Sequence, residues 1–242
     1  MTGTQIFNTT SLREAHHGQT VHRDYIAHAF RWSVAQRHIN EGDVVIDVGC
    51  GPDTPLVKVL AFPRGSVPKR YTGIDLNNFV PKTRPQWANF ILGVSVFDLD
   101  PVEVGPADVV VCFEMLEHMP KPKGLELLRW LREAVKPSGI ILLSTPSYAG
   151  GDLPKNHVHE WTYDELKEGL ASVWLEVNDV WGTFMRIPQL RKAVAVQYPD
   201  LAKVLGRLDT YYSHEALSTI FAPLFPGQAS NCLWKLKRLS IP

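Results

Sequence analysis

The run Asp43-Val44-Val45-Ile46-Asp47-Val48-Gly49-Cys50-Gly51-Pro52-Asp53 constrains the fold more than any other part of the chain. Its β-branched residues are almost continuous, as in a strand buried on both faces, and it stops at two glycines one residue apart. Glycines there let the backbone turn sharply off the strand and bring its N–H groups close to a ligand, where a Cβ would collide. Further apolar runs follow at Tyr71–Leu76, Asn89–Val94, Ala107–Phe113 and Gly139–Thr145. Between the last two, Pro122–Val135 carries Leu125, Leu128, Leu131 and Val135 as one helical stripe. Ahead of them all, Asp24–Ile39 spaces Ile26, Ala29, Phe30, Val34 and Ile39 as an amphipathic helix.

This alternation predicts an α/β, doubly wound, mostly parallel sheet with ligands beyond the carboxyl ends of its strands. A helix over Thr162–Ala171 and strands over Val173–Trp181 and Asn231–Leu239 complete seven strands with an antiparallel edge. Residues 1–40 are expected to form an N-terminal helical cap, and residues 41–242 one domain. Gly182–Ser230 is too long for an ordinary connection and is expected to be a helical insertion, serving as a lid or acceptor-binding element.

Composition excludes several classes. The chain has 242 residues, is 45% hydrophobic, and contains no apolar run long enough to span a bilayer. Its polar, His-rich start lacks the apolar stretch of a secretory signal, so a cytoplasmic location is the default expectation. Twenty-five basic residues balance twenty-five acidic ones, so no global field draws the protein to duplex DNA. Arg186, Arg191, Lys192, Lys203 and Arg207 cluster in the insertion and read first as a solvated helix face. Cys50, Cys112 and Cys232 lie far apart without a CxxC pair, which argues against a zinc cage or a disulfide frame. Oligomeric state is not legible.

The residues at the strand tips carry the chemistry. Asp47 precedes the glycine turn, Asp75 ends the second strand in Gly73-Ile74-Asp75-Leu76-Asn77, and Asp98 follows the third in Val96-Phe97-Asp98. A carboxylate at the second tip offers two acceptor oxygens to the two hydroxyls of a ribose. Asp98 is placed to accept from an adenine amino group while Phe97 or Leu76 packs the ring. Thr54 stands where a dinucleotide fingerprint has its third glycine, which argues against a nicotinamide enzyme.

The ordered series Asp-x-Gly-x-Gly, Gly-x-Asp, Phe-Asp, Glu-x-x-Glu-His and Lys-Pro-x-Gly, over about Asp43–Phe184, resembles class I S-adenosylmethionine-dependent methyltransferases. The resemblance implies that S-adenosyl-L-methionine is the cofactor and that Asp47, Gly49, Cys50, Gly51, Asp75, Leu76, Phe97, Asp98 and Glu114 surround it.

After the fourth strand comes Glu114-Met115-Leu116-Glu117-His118, and later Asn156-His157-Val158-His159-Glu160-Trp161-Thr162. Two carboxylates and an imidazole leaving one strand end suit a divalent ion such as Mg²⁺ or Mn²⁺. Without a metal, His118 or His157 can act as general base toward a hydroxyl. The first run is similar to ubiquinone-biosynthesis O-methyltransferases. Together the two runs are similar to metal-dependent small-RNA 3′-terminal 2′-O-methyltransferases, which implies Glu114, Glu117, His118 and His157 as ligands and Glu117, His118 and His157 as catalytic residues. His159 stands where that family has an aromatic residue; His159 and Trp161 are expected in local packing or lid contacts. His16, His17, His22, His28 and His38 show no ligand-like pairing.

The Asp/Asn-Pro-Pro-aromatic run of amino-methylating DNA enzymes and the Pro-Cys of C5-cytosine enzymes are both absent after the fourth strand. The acceptors left are a small polar molecule, a sugar or an RNA terminus. O-methylation of a small molecule or sugar is the first expectation and RNA 2′-O-methylation the second; an inactive cofactor-binding partner subunit is the third.

Overall fold

The computed structural model describes residues 16–17, 20–21, 23–61 and 66–240. A two-residue antiparallel pair, His16–His17 with Thr20–Val21, precedes helix α1 (Arg23–His38). Then come β1 (Val44–Val48), α2 (Pro55–Leu60), β2 (Arg70–Asp75), β3 (Ala88–Leu92), α3 (Pro101–Val104), β4 (Ala107–Phe113) and α4 (Lys121–Ala134). The chain continues through β5 (Val135–Pro146), α5 (Tyr163–Ser172) and β6 (Leu175–Phe184). Three helices, α6 (Ile187–Gln197), α7 (Pro199–Leu208) and α8 (His214–Phe221), lead to the last strand, β7 (Asn231–Arg238).

The strands form one sheet in the order β3-β2-β1-β4-β5-β7-β6. The first five are parallel, and β7 runs antiparallel to both of its neighbours. Strand order reverses at the β1–β4 pair, where Val48 sits beside both Ile74 and Cys112, so the crevice beyond these tips is the switch point of the sheet.

The central strands read as continuous apolar runs because both faces are covered. Ile46, Val48, Val110, Cys112 and Leu143 belong to one core cluster with Leu127, Leu128 and Leu131 of α4. Val45, Val109, Val111 and Leu142 face the opposite cluster, with Val34, Ala35 and Ile39 at the end of α1 and Leu56, Val57 and Leu60 of α2. Each Val, Leu or Ile among them contributes about 1.5–3 kcal/mol on burial. All three cysteines are free and buried. Trp161 is 1% exposed, and a Cβ at Gly124 of α4 would stand 3.0 Å from its ring, so the two glycines Gly124 and Gly169 make room for a packing residue. Helix α5 starts at a reciprocal cap: Thr162 Oγ1 accepts from Glu165 N at 3.1 Å, and Glu165 Oε2 accepts from Thr162 N at 3.3 Å.

Strand β5 begins at Val135, four residues before the expected start, because Val135 already pairs with Ala107 ahead of an irregularity in the ladder. Strand β6 runs three residues past its expected end at Trp181, to Phe184 beside Asn231, so the first helix of the expected insertion begins only at Ile187. Its helices bury Met185, Leu190, Ala193, Val194, Leu205, Leu217 and Phe225 in a cluster of their own. Among the described residues no helix is long and apolar enough to cross a membrane.

Candidate active site

Two cavities of about 450 and 400 Å³ lie beyond the strand tips and share Gly49, Phe113 and Glu114. The larger is walled by Asp47, Cys50, Gly51 and Asp53 on the turn side and by His28, Arg31 and Trp32 from α1. The smaller is walled by Asp75, Leu76, Asn77, Phe97, Met115 and His118. Gly49 and Gly51 have φ of +78° and +65°, which L side chains adopt only with strain. A Cβ on Gly49 would also fall 2.5 Å from Met115 Sδ, so the side chain of Met115 fills the space the glycine leaves.

Asp75 braces this turn. Its Oδ2 accepts from Gly51 N at 3.0 Å, its Oδ1 accepts from Asn77 N at 2.8 Å, and Gly49 N donates to Ile74 O at 2.8 Å. Leu76 beside it is 70% exposed, an apolar side chain at a cavity rim with room for a ring to cover it. Asp47 is buried and accepts from Tyr71 Oη at 2.7 Å. Burial raises its carboxyl to about 7, and the charge of Asp75 adds to the effect against the hydrogen bond from Tyr71. Asp98 ends a short turn, Val96–Asp98, exposed and outside the walls of both cavities; Phe97 from the same turn lines the smaller one.

Glu114 has φ +55°, a strained value for a side chain of this size, and an elaborate network holds it. Its Oε1 accepts from Ser144 Oγ at 2.6 Å and lies 3.2 Å from Arg31 Nη1, while Asn231 Nδ2 reaches Oε1 and Oε2 at 3.1 and 2.9 Å. Asn231 Oδ1 in turn accepts from Thr183 Oγ1 at 2.7 Å. Burial alone would push the Glu114 carboxyl up; the Arg31 charge and the bonds from Ser144 and Asn231 outweigh it and hold the group below its ordinary value. The network ties α1 to the tips of β4, β5 and β7.

Glu117, His118 and His157 each present a ligand-type atom, and the three atoms lie within 4.8 Å of one another. Glu114, the fourth residue of the expected ligand set, is not among them, because Arg31, Ser144 and Asn231 hold its carboxylate elsewhere. Glu117 is 1% exposed and accepts from Thr145 Oγ1 at 3.1 Å. Burial, with the Glu114 charge adding, raises its carboxyl to about 8. The loop carrying His157 is pinned to this turn: Val158 N donates to Glu117 O at 2.7 Å, and His118 Nδ1 faces Asn156 O at 2.9 Å. The His118 and His157 rings meet edge to face with centroids 5.3 Å apart. His159 stacks edge to face on Trp161.

A third cavity, of about 300 Å³, adjoins the larger one through His28, Arg31 and Glu114. His157 stands in its wall with Pro146, Pro154, Phe184 and Asn231. Sequence reasoning missed Arg31, Ser144 and Asn231: the Arg31–Asn231 contact spans 200 residues, and no local pattern announces it. His28, for which no pairing was expected, lines two cavities. Of the insertion cations, Arg191 pairs with Asp209 at 3.5 Å, and Arg186, Lys192, Lys203 and Arg207 are exposed.

A parallel sheet with one antiparallel strand, a left-handed glycine turn at its first tip and a carboxylate at its second form a doubly wound fold with its ligand crevice at the switch point, and the family match makes it an S-adenosylmethionine-dependent methyltransferase of class I. The chain belongs to the family described as Methyltransferase domain, which matches residues 14–221. It is 29% identical over 188 residues to the ubiquinone biosynthesis O-methyltransferase of Marinobacter nauticus, covering 65% of this chain and 75% of that one. Among solved structures, the 1,6-didemethyltoxoflavin-N1-methyltransferase of Burkholderia thailandensis shares the fold with a TM-score of 0.56 at 14% identity, over 88% of this chain and 79% of that one. The small RNA methyltransferase HEN1 shares it with a TM-score of 0.56 at 16% identity, over 88% of this chain and 25% of that one.

Proposed function

We propose that this enzyme methylates a hydroxyl oxygen of a small polar molecule or sugar, with the acceptor in the 300 Å³ cavity and His157 taking its proton. The observation that carries the reading is the position of His157 in the wall of a cavity that adjoins the glycine-turn cavity through Glu114 and Arg31. Relatives in the curated set, among them the Marinobacter protein, are named as O-methyltransferases, which supports oxygen as the acceptor atom.

The cavities fit the cofactor. Two adjoining spaces of about 450 and 400 Å³ meet at Gly49, one walled by backbone of the turn, the other by Asp75, Leu76 and Phe97. Asp75 would hold the ribose hydroxyls, Leu76 and Phe97 would cover the adenine, and Asp47, Gly49, Cys50, Gly51 and Glu114 would surround the methionine portion. When bound, S-adenosylmethionine supplies an electrophilic methyl group on its sulfonium. The chain's own residues would place the acceptor oxygen and receive its proton.

A second reading rests on the Glu117, His118 and His157 cluster. One carboxylate and two imidazoles suit Mn²⁺ better than Mg²⁺, and an ion there would polarise the acceptor hydroxyl, as the resemblance to metal-dependent RNA enzymes implies. The two readings separate in one experiment. Isotope-labelled cofactor is offered with fractionated small molecules, glycans and RNA, with and without a chelator. Label on a hydroxyl of a small acceptor, undiminished by chelation and lost in His157→Gln, is the expected result. Loss on chelation with recovery in Mn²⁺ favours the ion, and label confined to RNA or to nitrogen overturns the proposal.

A further inference from the structure

Glu160 stands three residues beyond His157 on the loop between β5 and α5 and has had no part in the chemistry so far. Its Oε1 lies 2.5 Å from His157 Nδ1, and both side chains are largely buried, at 13% and 15% exposure. A carboxylate accepts and an imidazole nitrogen can donate, so the proton in this contact belongs on Nδ1. That leaves Nε2 as the nitrogen able to accept.

The surrounding loop fixes where the ring sits but not which nitrogen points where. His157 N donates to Pro154 O at 2.9 Å, and Val158 N and His159 N both donate to Glu117 O, at 2.7 and 3.3 Å. These bonds hold the backbone. The His118 ring lies against one side of the imidazole, edge to face at 81°. A half-turn of the ring about Cβ–Cγ would put Cδ2 in the place of Nδ1 and Cε1 in the place of Nε2 while disturbing none of these backbone bonds. The contact with Glu160 Oε1 is made by Nδ1 and so singles out that nitrogen.

We propose that Glu160 is a positioning residue that locks His157 as the Nδ1–H tautomer, with Nε2 presented to the acceptor cavity. Such partners of a working histidine set both tautomer and ring orientation. Its catalytic consequence rests on the role assigned to His157 above; the tautomer itself does not.

The test uses the full-length protein with ¹⁵N-labelled histidine, and the His157 signals are identified by their loss in His157→Gln. In the unsubstituted protein, two-bond ¹H–¹⁵N spectra should show the proton on Nδ1. Glu160→Ala should release the ring and move the His157 proton toward Nε2. Glu160→Gln keeps a carbonyl acceptor and should largely retain the Nδ1–H form. In turnover, Glu160→Ala should lower kcat by about 10- to 100-fold and Glu160→Gln by less, with the KM for S-adenosylmethionine unchanged in both. Cofactor binding at unchanged affinity shows that each variant is folded. An unaltered His157 spectrum in Glu160→Ala, or a proton on Nε2 in the unsubstituted protein, overturns the proposal. If the spectrum changes as expected while the unsubstituted enzyme methylates no hydroxyl acceptor, the function proposed above fails and the positioning role of Glu160 stands.

Discussion

Replacing Asp47 by asparagine should make the ligand-free protein more stable above neutral pH while weakening its hold on the cofactor. Asp47 is 5% exposed, and the side-chain hydrogen bond it receives from Tyr71 is too little to offset its loss of water. Its carboxyl is therefore raised from an ordinary 3.8 to about 7. A carboxyl whose pKa is higher folded than unfolded favours folding in its protonated form. That contribution is complete below about pH 4 and is lost as the pH climbs toward 7. About three pKa units at 1.36 kcal/mol each amount to about 4 kcal/mol of stability lost between these limits. Asparagine keeps an acceptor for the Tyr71 hydroxyl and removes the charge. Urea unfolding of both proteins without cofactor should show the variant ahead by up to about 4 kcal/mol at pH 8, with the gap closing toward pH 4. A variant equally destabilised at both pH values would refute the reasoning, since the buried charge would then be satisfied in the native fold.

Asp75→Ala should weaken S-adenosylmethionine binding by about 1.5–3 kcal/mol through lost charge-assisted bonds to ribose, and unchanged affinity in calorimetry would reject that role. Arg31→Met should destabilise the fold by about 3 kcal/mol, the low end for breaking a buried pair, because Glu114 keeps Ser144 and Asn231 and is 29% exposed. Adding Glu114→Gln should recover part of that loss in denaturant titrations; simple additivity of the two changes would mean that the pair is not coupled. Gly49→Ala, at φ +78° and against Met115, should lose more than about 1 kcal/mol of stability, measured as a shift in urea midpoint; no shift would show the turn free to relax.

The parts of this fold that were legible are those where one local pattern decides. Val45-Ile46-Asp47-Val48 before two glycines can hardly be other than a buried strand and its turn, and the stripe on α4 marks a helix packed on one side. The sequence puts Asp47, Gly49 and Gly51 at the tip of one strand, Asp75 and Leu76 at the next and Phe97 beyond a third, and the sheet brings these tips together around two cavities. Glu114 shows where that logic ends. Its spacing from Glu117 and His118 suggested one ligand group, yet its left-handed backbone and its bonds to Arg31, Ser144 and Asn231 hold it apart from them. Those partners come from α1, β5 and β7, and contacts so distant in sequence leave no periodic trace. Asp98 differs for a simpler reason: the short turn that presents Phe97 to the cavity leaves the next side chain facing solvent.

The central claim is geometric: the strand tips hold the cofactor so that its sulfur meets the cavity walled by His157. A crystal structure of the protein with S-adenosylhomocysteine tests it most directly. The account predicts ribose hydroxyls on Asp75, the ring against Leu76 and Phe97, and the sulfur beside Glu114 at the opening toward His157. A sulfur facing away from that opening, or a nucleoside bound anywhere but between Gly49 and Phe97, would contradict it.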